Sequence, residues 1–83
     1  MQRIVTVEIS HTDGLHMRPA ALIAEFVQSL DCGIECRLPD QEWTRADSVL
    51  TIVSLGLTAG DMLELRPVGQ ISDADLNRLV SLF

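Results

Sequence analysis

The sequence has no lysine and no tyrosine, and only one tryptophan, two phenylalanines and two cysteines in 83 residues. All six cations are arginines (Arg3, Arg18, Arg37, Arg45, Arg66 and Arg78) scattered singly, against twelve acidic residues and a formal charge of −6. Nucleic-acid binding needs clustered positive charge along the backbone and aromatic rings for the bases, so this composition argues against it. Acidic ligands are repelled at long range, and any anion site must be local, built from one arginine and backbone amides. Cys32 and Cys36 are too few and too awkwardly spaced for zinc, and no metal or other cofactor is expected. On one strand their spacing of ~3.3 Å per residue separates them by ~13 Å, out of disulfide range. Cys36 therefore reads as a small core residue and Cys32 as a reduced thiol near the strand's start. No apolar run approaches the ~20 residues of a membrane span, and Met1-Gln2-Arg3-Ile4 lacks the basic-then-apolar order of a signal peptide. The expectation is a cytoplasmic protein with no membrane insertion.

What is present is 47% hydrophobic and 22% charged, enough for one small patterned core in a single domain over residues 1–83. Residues 4–9 alternate Val5, Val7 and Ile9 with polar partners, the period of a half-buried strand. From Met17 to about Leu30, Leu22, Ile23, Phe26, Val27 and Leu30 recur at helical spacing, with Pro19 tolerated in the first turn. Ile34, Cys36 and Leu38 mark a second strand, and Glu42-Trp43-Thr44 a third, hairpinned onto it. Ser48 starts a shorter helix carrying Val49, Leu50, Ile52 and Val53, stopped by Gly56. Leu63 and Leu65 mark a fourth strand, ended by Pro67 and Gly69. Ser72-Asp73-Ala74-Asp75 has capping-box form ahead of a stripe of Leu76, Leu79, Val80 and Phe83. The order β-α-β-β-α-β-α predicts a two-layer α+β sandwich with one sheet face open to solvent.

The segment Asp13-Gly14-Leu15-His16-Met17-Arg18-Pro19-Ala20-Ala21 holds the candidate chemistry. It places a histidine at the start of a helix, where up to four backbone N–H groups lack partners and the macrodipole is positive. Arg18 adds a permanent charge and a planar fork of donors suited to phosphate oxygens. A neutral imidazole is a good nucleophile near pH 7, and a phosphoryl group placed on it would lie against those amides. The same residues admit a plainer reading, in which His16 caps a helix and Arg18 is one more solvated charge.

Gly14-Leu15-His16-Met17-Arg18-Pro19-Ala20-Ala21 resembles the phosphohistidine motif of the HPr family, the histidine-containing phosphocarriers of the bacterial phosphoenolpyruvate-dependent phosphotransferase system. Ser48-Val49-Leu50-Thr51-Ile52-Val53-Ser54-Leu55-Gly56 is similar to that family's regulatory-serine segment, and Gly60, Gly69 and the final helix fall in register. The resemblance covers essentially the whole chain. It implies an open-faced sandwich with a four-stranded antiparallel sheet ordered 1-4-2-3 and helices on one face. By it, His16 would take a phosphoryl group on Nδ1 from enzyme I, itself charged by phosphoenolpyruvate, and hand it to an enzyme IIA domain. Met17 and Arg18 would stabilise that group. The chain would be a stoichiometric, monomeric carrier and not an enzyme, with a serine kinase acting on Ser48. As a helix N-cap, the same Ser48 hydroxyl satisfies an orphan amide, worth ~1 kcal/mol.

Some positions depart from the family pattern. Where sugar-uptake members commonly carry lysines, this sequence has Glu25, Gln28 and Asp47, and Asp13 stands where asparagine is frequent. Asp13 reads as a turn residue and His11 as a surface residue without a partner. These departures keep open a regulatory HPr-like protein of a nitrogen-type or incomplete phosphotransferase system. From the element order alone, a non-covalent ferredoxin-like interaction domain is a further alternative.

Overall fold

The structure, a computed structural model, describes residues 3–83. In chain order the elements are β1 (Val5–Glu8), α1 (Met17–Ser29), β2 (Gly33–Arg37), β3 (Thr44–Arg45), α2 (Val49–Ser54), β4 (Met62–Val68) and α3 (Asp73–Ser81). The strands form one sheet in the order β1-β4-β2-β3, with every neighbouring pair antiparallel. Among the described residues no helix is long and apolar enough to cross a membrane.

Strand alternation sorts the two sheet faces. Val7, Ile34, Cys36, Leu63 and Leu65 point into the core, where Ala20, Ile23, Ala24 and Val27 of α1, Ile52 of α2 and Leu76 and Leu79 of α3 meet them. On the other face, Glu35 and Arg66 stand opposite each other across β2 and β4, as do Arg37 and Glu64, and each pair closes an ion pair of 2.6 Å. The Trp43 ring packs against both guanidiniums, its centroid 4.3 Å from Arg37 and 4.2 Å from Arg66. Cation–π attraction and cross-strand pairing thus cover the side of the sheet that no helix covers.

Several local expectations shift. Leu22 and Leu50, counted among the apolar positions of their helices, are 56% and 74% exposed. The buried stripe of α1 is Ala20, Ile23, Ala24 and Val27, an i, i+3, i+4, i+7 set to which Leu22 does not belong. The third strand is Thr44–Arg45 and not Glu42–Thr44, because the fully buried Ala46 is drawn inward and donates its N–H to the Ile34 carbonyl at 2.9 Å. Pro67 does not end β4, which continues to Val68 with Pro67 opposite Ile34. The last β1 partner on β4 is Leu65, so Pro67 lies where one flank of the strand carries no ladder, a place that tolerates a residue without an N–H.

The helices start on local capping chemistry. Ser48 Oγ accepts the Thr51 N–H at 3.4 Å, and Ser72 Oγ accepts the Asp75 N–H at 3.1 Å. Helices α1 and α2 run antiparallel. Gln28, near the end of α1, donates to the Asp47 carbonyl just before α2 at 2.7 Å, while Leu57, after α2, meets the loop that leads into α1.

Candidate functional site

The β1–α1 loop is held from several sides before it releases into the helix. Gly14 adopts φ +79°, and a β-carbon there would come 2.7 Å from the Leu57 carbonyl oxygen. Only glycine combines that left-handed backbone with so close an approach. The adjacent Leu15 is buried and donates its N–H to the same Leu57 oxygen at 3.0 Å. Residues 11–14 close a turn through the Gly14 N–H and the His11 carbonyl at 2.9 Å, and the His16 N–H reaches the Gly14 carbonyl at 3.1 Å.

His16 itself is the N-cap of α1, with extended backbone (φ −86°, ψ −169°) and no capping bond from its side chain. Its carbonyl accepts the Ala20 N–H at 3.0 Å, so the backbone is committed to the helix while the imidazole stands exposed. The N–H groups of Met17 and Arg18 fall in the first turn, where a helix offers no acceptor, and Pro19 has no N–H to satisfy. No acidic side chain occupies that turn to compete for the dipole. Arg18 is exposed and takes part in none of the ion pairs among the described residues. Together these features give a nucleophilic ring nitrogen, unpaired amides and an unpaired guanidinium within three consecutive residues, a setting for a transient anion.

The structure brings Met17 and Arg18 to His16 but not Ser48. Ser48 is half-buried at the start of α2, beside the far end of α1, and the 13 residues of α1 separate it from His16 by roughly 18 Å at 1.5 Å per residue. Asp47 has its charge answered by Arg45, Oδ2 to Nη2 at 3.1 Å. Glu25 and Gln28 are exposed on α1, and Asp13 is exposed in the turn. Cys36 is buried and Cys32 half-buried, both as free thiols, and burial, with the Glu35 charge adding to it, pushes the Cys36 thiol up to about 11.

His11 differs from expectation. It is half-buried, and its Nε2 donates to the Leu82 carbonyl at 2.8 Å, which sets a neutral ring as the Nε2–H tautomer. The partner lies 71 residues away, beyond any local sequence signal. The Leu57 contact was likewise hidden, although Gly14 was its visible trace.

A family model for the PTS HPr component phosphorylation site matches residues 4–83. The phosphocarrier protein NPr of Escherichia coli is 30% identical over 78 residues, covering 94% of this chain and 87% of that protein. Among solved structures, the phosphocarrier protein HPr from Bacillus anthracis aligns with a TM-score of 0.85 at 26% identity, covering 98% of this chain and 95% of that one. HPr-C-His from Thermoanaerobacter tengcongensis aligns with a TM-score of 0.82 at 32% identity, covering 96% and 89%. With the same sheet order, and a histidine-led helix start inside the matched region, the chain belongs to the HPr family of phosphotransferase-system phosphocarriers.

Proposed function

We propose that this protein is a cytoplasmic, monomeric single-domain carrier that accepts a phosphoryl group on His16 from enzyme I and passes it to an enzyme IIA domain. HPr-family phosphocarriers are not enzymes. The observation that carries the reading is the exposed imidazole at the start of α1, next to two free amides and the unpaired Arg18.

In the transfer, the lone pair of His16 Nδ1 attacks the donor's phosphorus. A nitrogen–phosphorus bond forms as the phosphorus–donor bond breaks, and that bond's electron pair returns to the donor. The phosphoryl oxygens keep their charge throughout, so catalysis reduces to placement and charge compensation, which the Met17 and Arg18 amides and the guanidinium supply. The choice of Nδ1 follows the family. Exposure of the site suits a carrier that must meet two proteins in turn, and exposed Met17 and Leu50 add apolar surface on α1 and α2 for such meetings.

Family membership displaces the ferredoxin-like alternative. A regulatory role in a nitrogen-type or incomplete phosphotransferase system keeps support from Glu25, Gln28 and Asp47, which stand where sugar-uptake members carry lysines, and from NPr among the relatives. In either role, Ser48 is proposed as a regulatory phosphorylation site for a serine kinase. If the regulatory role holds, an enzyme I with a strongly acidic docking face should transfer more slowly to this protein as salt is lowered, and faster transfer at low salt would remove that support.

The carrier reading is tested by incubating the protein with enzyme I and phosphoenolpyruvate. One acid-labile phosphoryl group should be added, and His16→Ala should abolish it. Labelling that persists in the variant, or that resides on His11, contradicts the assignment.

A further inference from the structure

We infer that His11 is a positioning residue for the acceptor site, its ring tying the end of α3 to the loop that presents His16. The inference rests on the proposed carrier function and extends it to a second histidine that does not carry the phosphoryl group.

A continuous run of hydrogen bonds connects the two histidines. The Leu82 carbonyl accepts from the His11 ring at 2.8 Å, the His11 carbonyl from the Gly14 N–H at 2.9 Å, the Gly14 carbonyl from the His16 N–H at 3.1 Å, and the His16 carbonyl from the Ala20 N–H at 3.0 Å. Every link but the first is backbone. The first therefore is the one that a side-chain substitution can cut.

Upstream, the chain is held by Ile9 N–H to Asp61 O at 2.8 Å, Gly60 N–H to Ile9 O at 2.9 Å and Ser10 N–H to Phe83 O at 2.9 Å. Downstream, Leu15 is held to Leu57. Between these anchors Thr12 and Asp13 are exposed, and among the described residues the His11 ring is the one side chain in residues 11–14 with a hydrogen bond to another element. Leu82 is the C-cap of α3, and its carbonyl is among those a helix end leaves without an internal partner. The ring satisfies that orphan and fixes the turn in the same contact. Displacement of a reacting group by about 1 Å can cost up to about a hundredfold in rate, so a loosened turn should register in transfer before it registers in folding.

The test compares His11→Ala with His11→Gln, which keeps a side-chain N–H donor at nearly the same reach. The readouts are kcat and KM for phosphoryl transfer from enzyme I, and the ring nitrogen resonances of His16 in the unphosphorylated protein. His11→Ala should lower kcat about tenfold with KM within about twofold, and should broaden or split the His16 signals. His11→Gln should restore both. Ser72→Ala controls for stability, because it weakens α3 at its other end without touching the loop. Wild-type kcat and His16 signals in a folded His11→Ala overturn the inference, as does an equal transfer loss in Ser72→Ala at matched stability. Should His11→Ala not fold, His11→Asn, whose donor falls short of Leu82, replaces it in the comparison with His11→Gln. A wild-type protein that takes no phosphoryl group defeats the carrier reading instead, and the His16 signals of the variants still decide whether His11 positions the ring.

Discussion

Raising the pH from 8 to 11 should expose a single buried thiol as a measurable share of the stability. The chain has neither lysine nor tyrosine, the side chains that ordinarily lose a proton near pH ~10, while arginine remains charged. Burial, followed by the neighbouring Glu35 charge, lifts the Cys36 thiol from 9.0 to about 11. In the folded state the thiol therefore keeps its proton across a window in which the unfolded chain releases it. Its contribution is complete below pH 9 and is lost as pH rises to about 11. At 1.36 kcal/mol per unit, the loss by pH 11 comes to about 2–3 kcal/mol, a large part of the roughly 5–15 kcal/mol of a small domain. Urea unfolding followed by Trp43 fluorescence under reductant reads this directly. With a slope near ~1 kcal/mol/M, the wild-type midpoint should fall by roughly 2 M between pH 9 and 11. Cys36→Ala should start lower, for lost packing, and stay nearly level across the same range. Cys32→Ser should follow the wild type. If Cys36→Ala declines in parallel with the wild type, the alkaline loss belongs to another group and the assignment to Cys36 is wrong.

The acceptor loop and its surroundings yield three further expectations. Arg18→Ala should leave the thermal midpoint unchanged, because the side chain is exposed and unpaired, yet should slow transfer about tenfold or more through lost charge-assisted contacts to the phosphoryl group; an unchanged single-turnover rate would contradict this. Gly14→Ala should cost at least about 1–2 kcal/mol for its left-handed backbone alone, with a further cost for the 2.7 Å approach to the Leu57 oxygen; an unchanged urea midpoint would show that the loop yields freely. Ser48→Asp should keep the α2 cap and give a thermal midpoint equal to or above wild type, while lowering transfer to His16. With Ser48 at the far end of α1 from His16, that loss should appear in KM, as hindered docking of enzyme I, and wild-type transfer would leave Ser48 a helix cap only.

Features that depend on residues within about four positions of one another were legible in the sequence. Alternation marked β1 and the inward Cys36, the Ser48 and Ser72 caps marked two helix starts, and the triplet of His16, Met17 and Arg18 ahead of Pro19 marked the start of α1 and the candidate site. Each of these follows from local backbone geometry, which a linear pattern carries. The sheet order was available only through family resemblance, because strands 1 and 4 join across most of the chain. On α1, hydropathy favours Leu22 as a core residue, but packing selected the small Ala20 and Ala24, which let the helix approach its neighbours and left Leu22 outside. The tie of Gly14 and Leu15 to Leu57, the grip of His11 on Leu82 and the packing of Trp43 against Arg37 and Arg66 were likewise decided in three dimensions. The chain itself supplied the helix start that carries the candidate site. Its tertiary structure fixed the loop that aims it and set Ser48 at the opposite end of α1, since hydrogen bonds and charge stacks between distant residues exist only once the sheet has brought their strands and loops together.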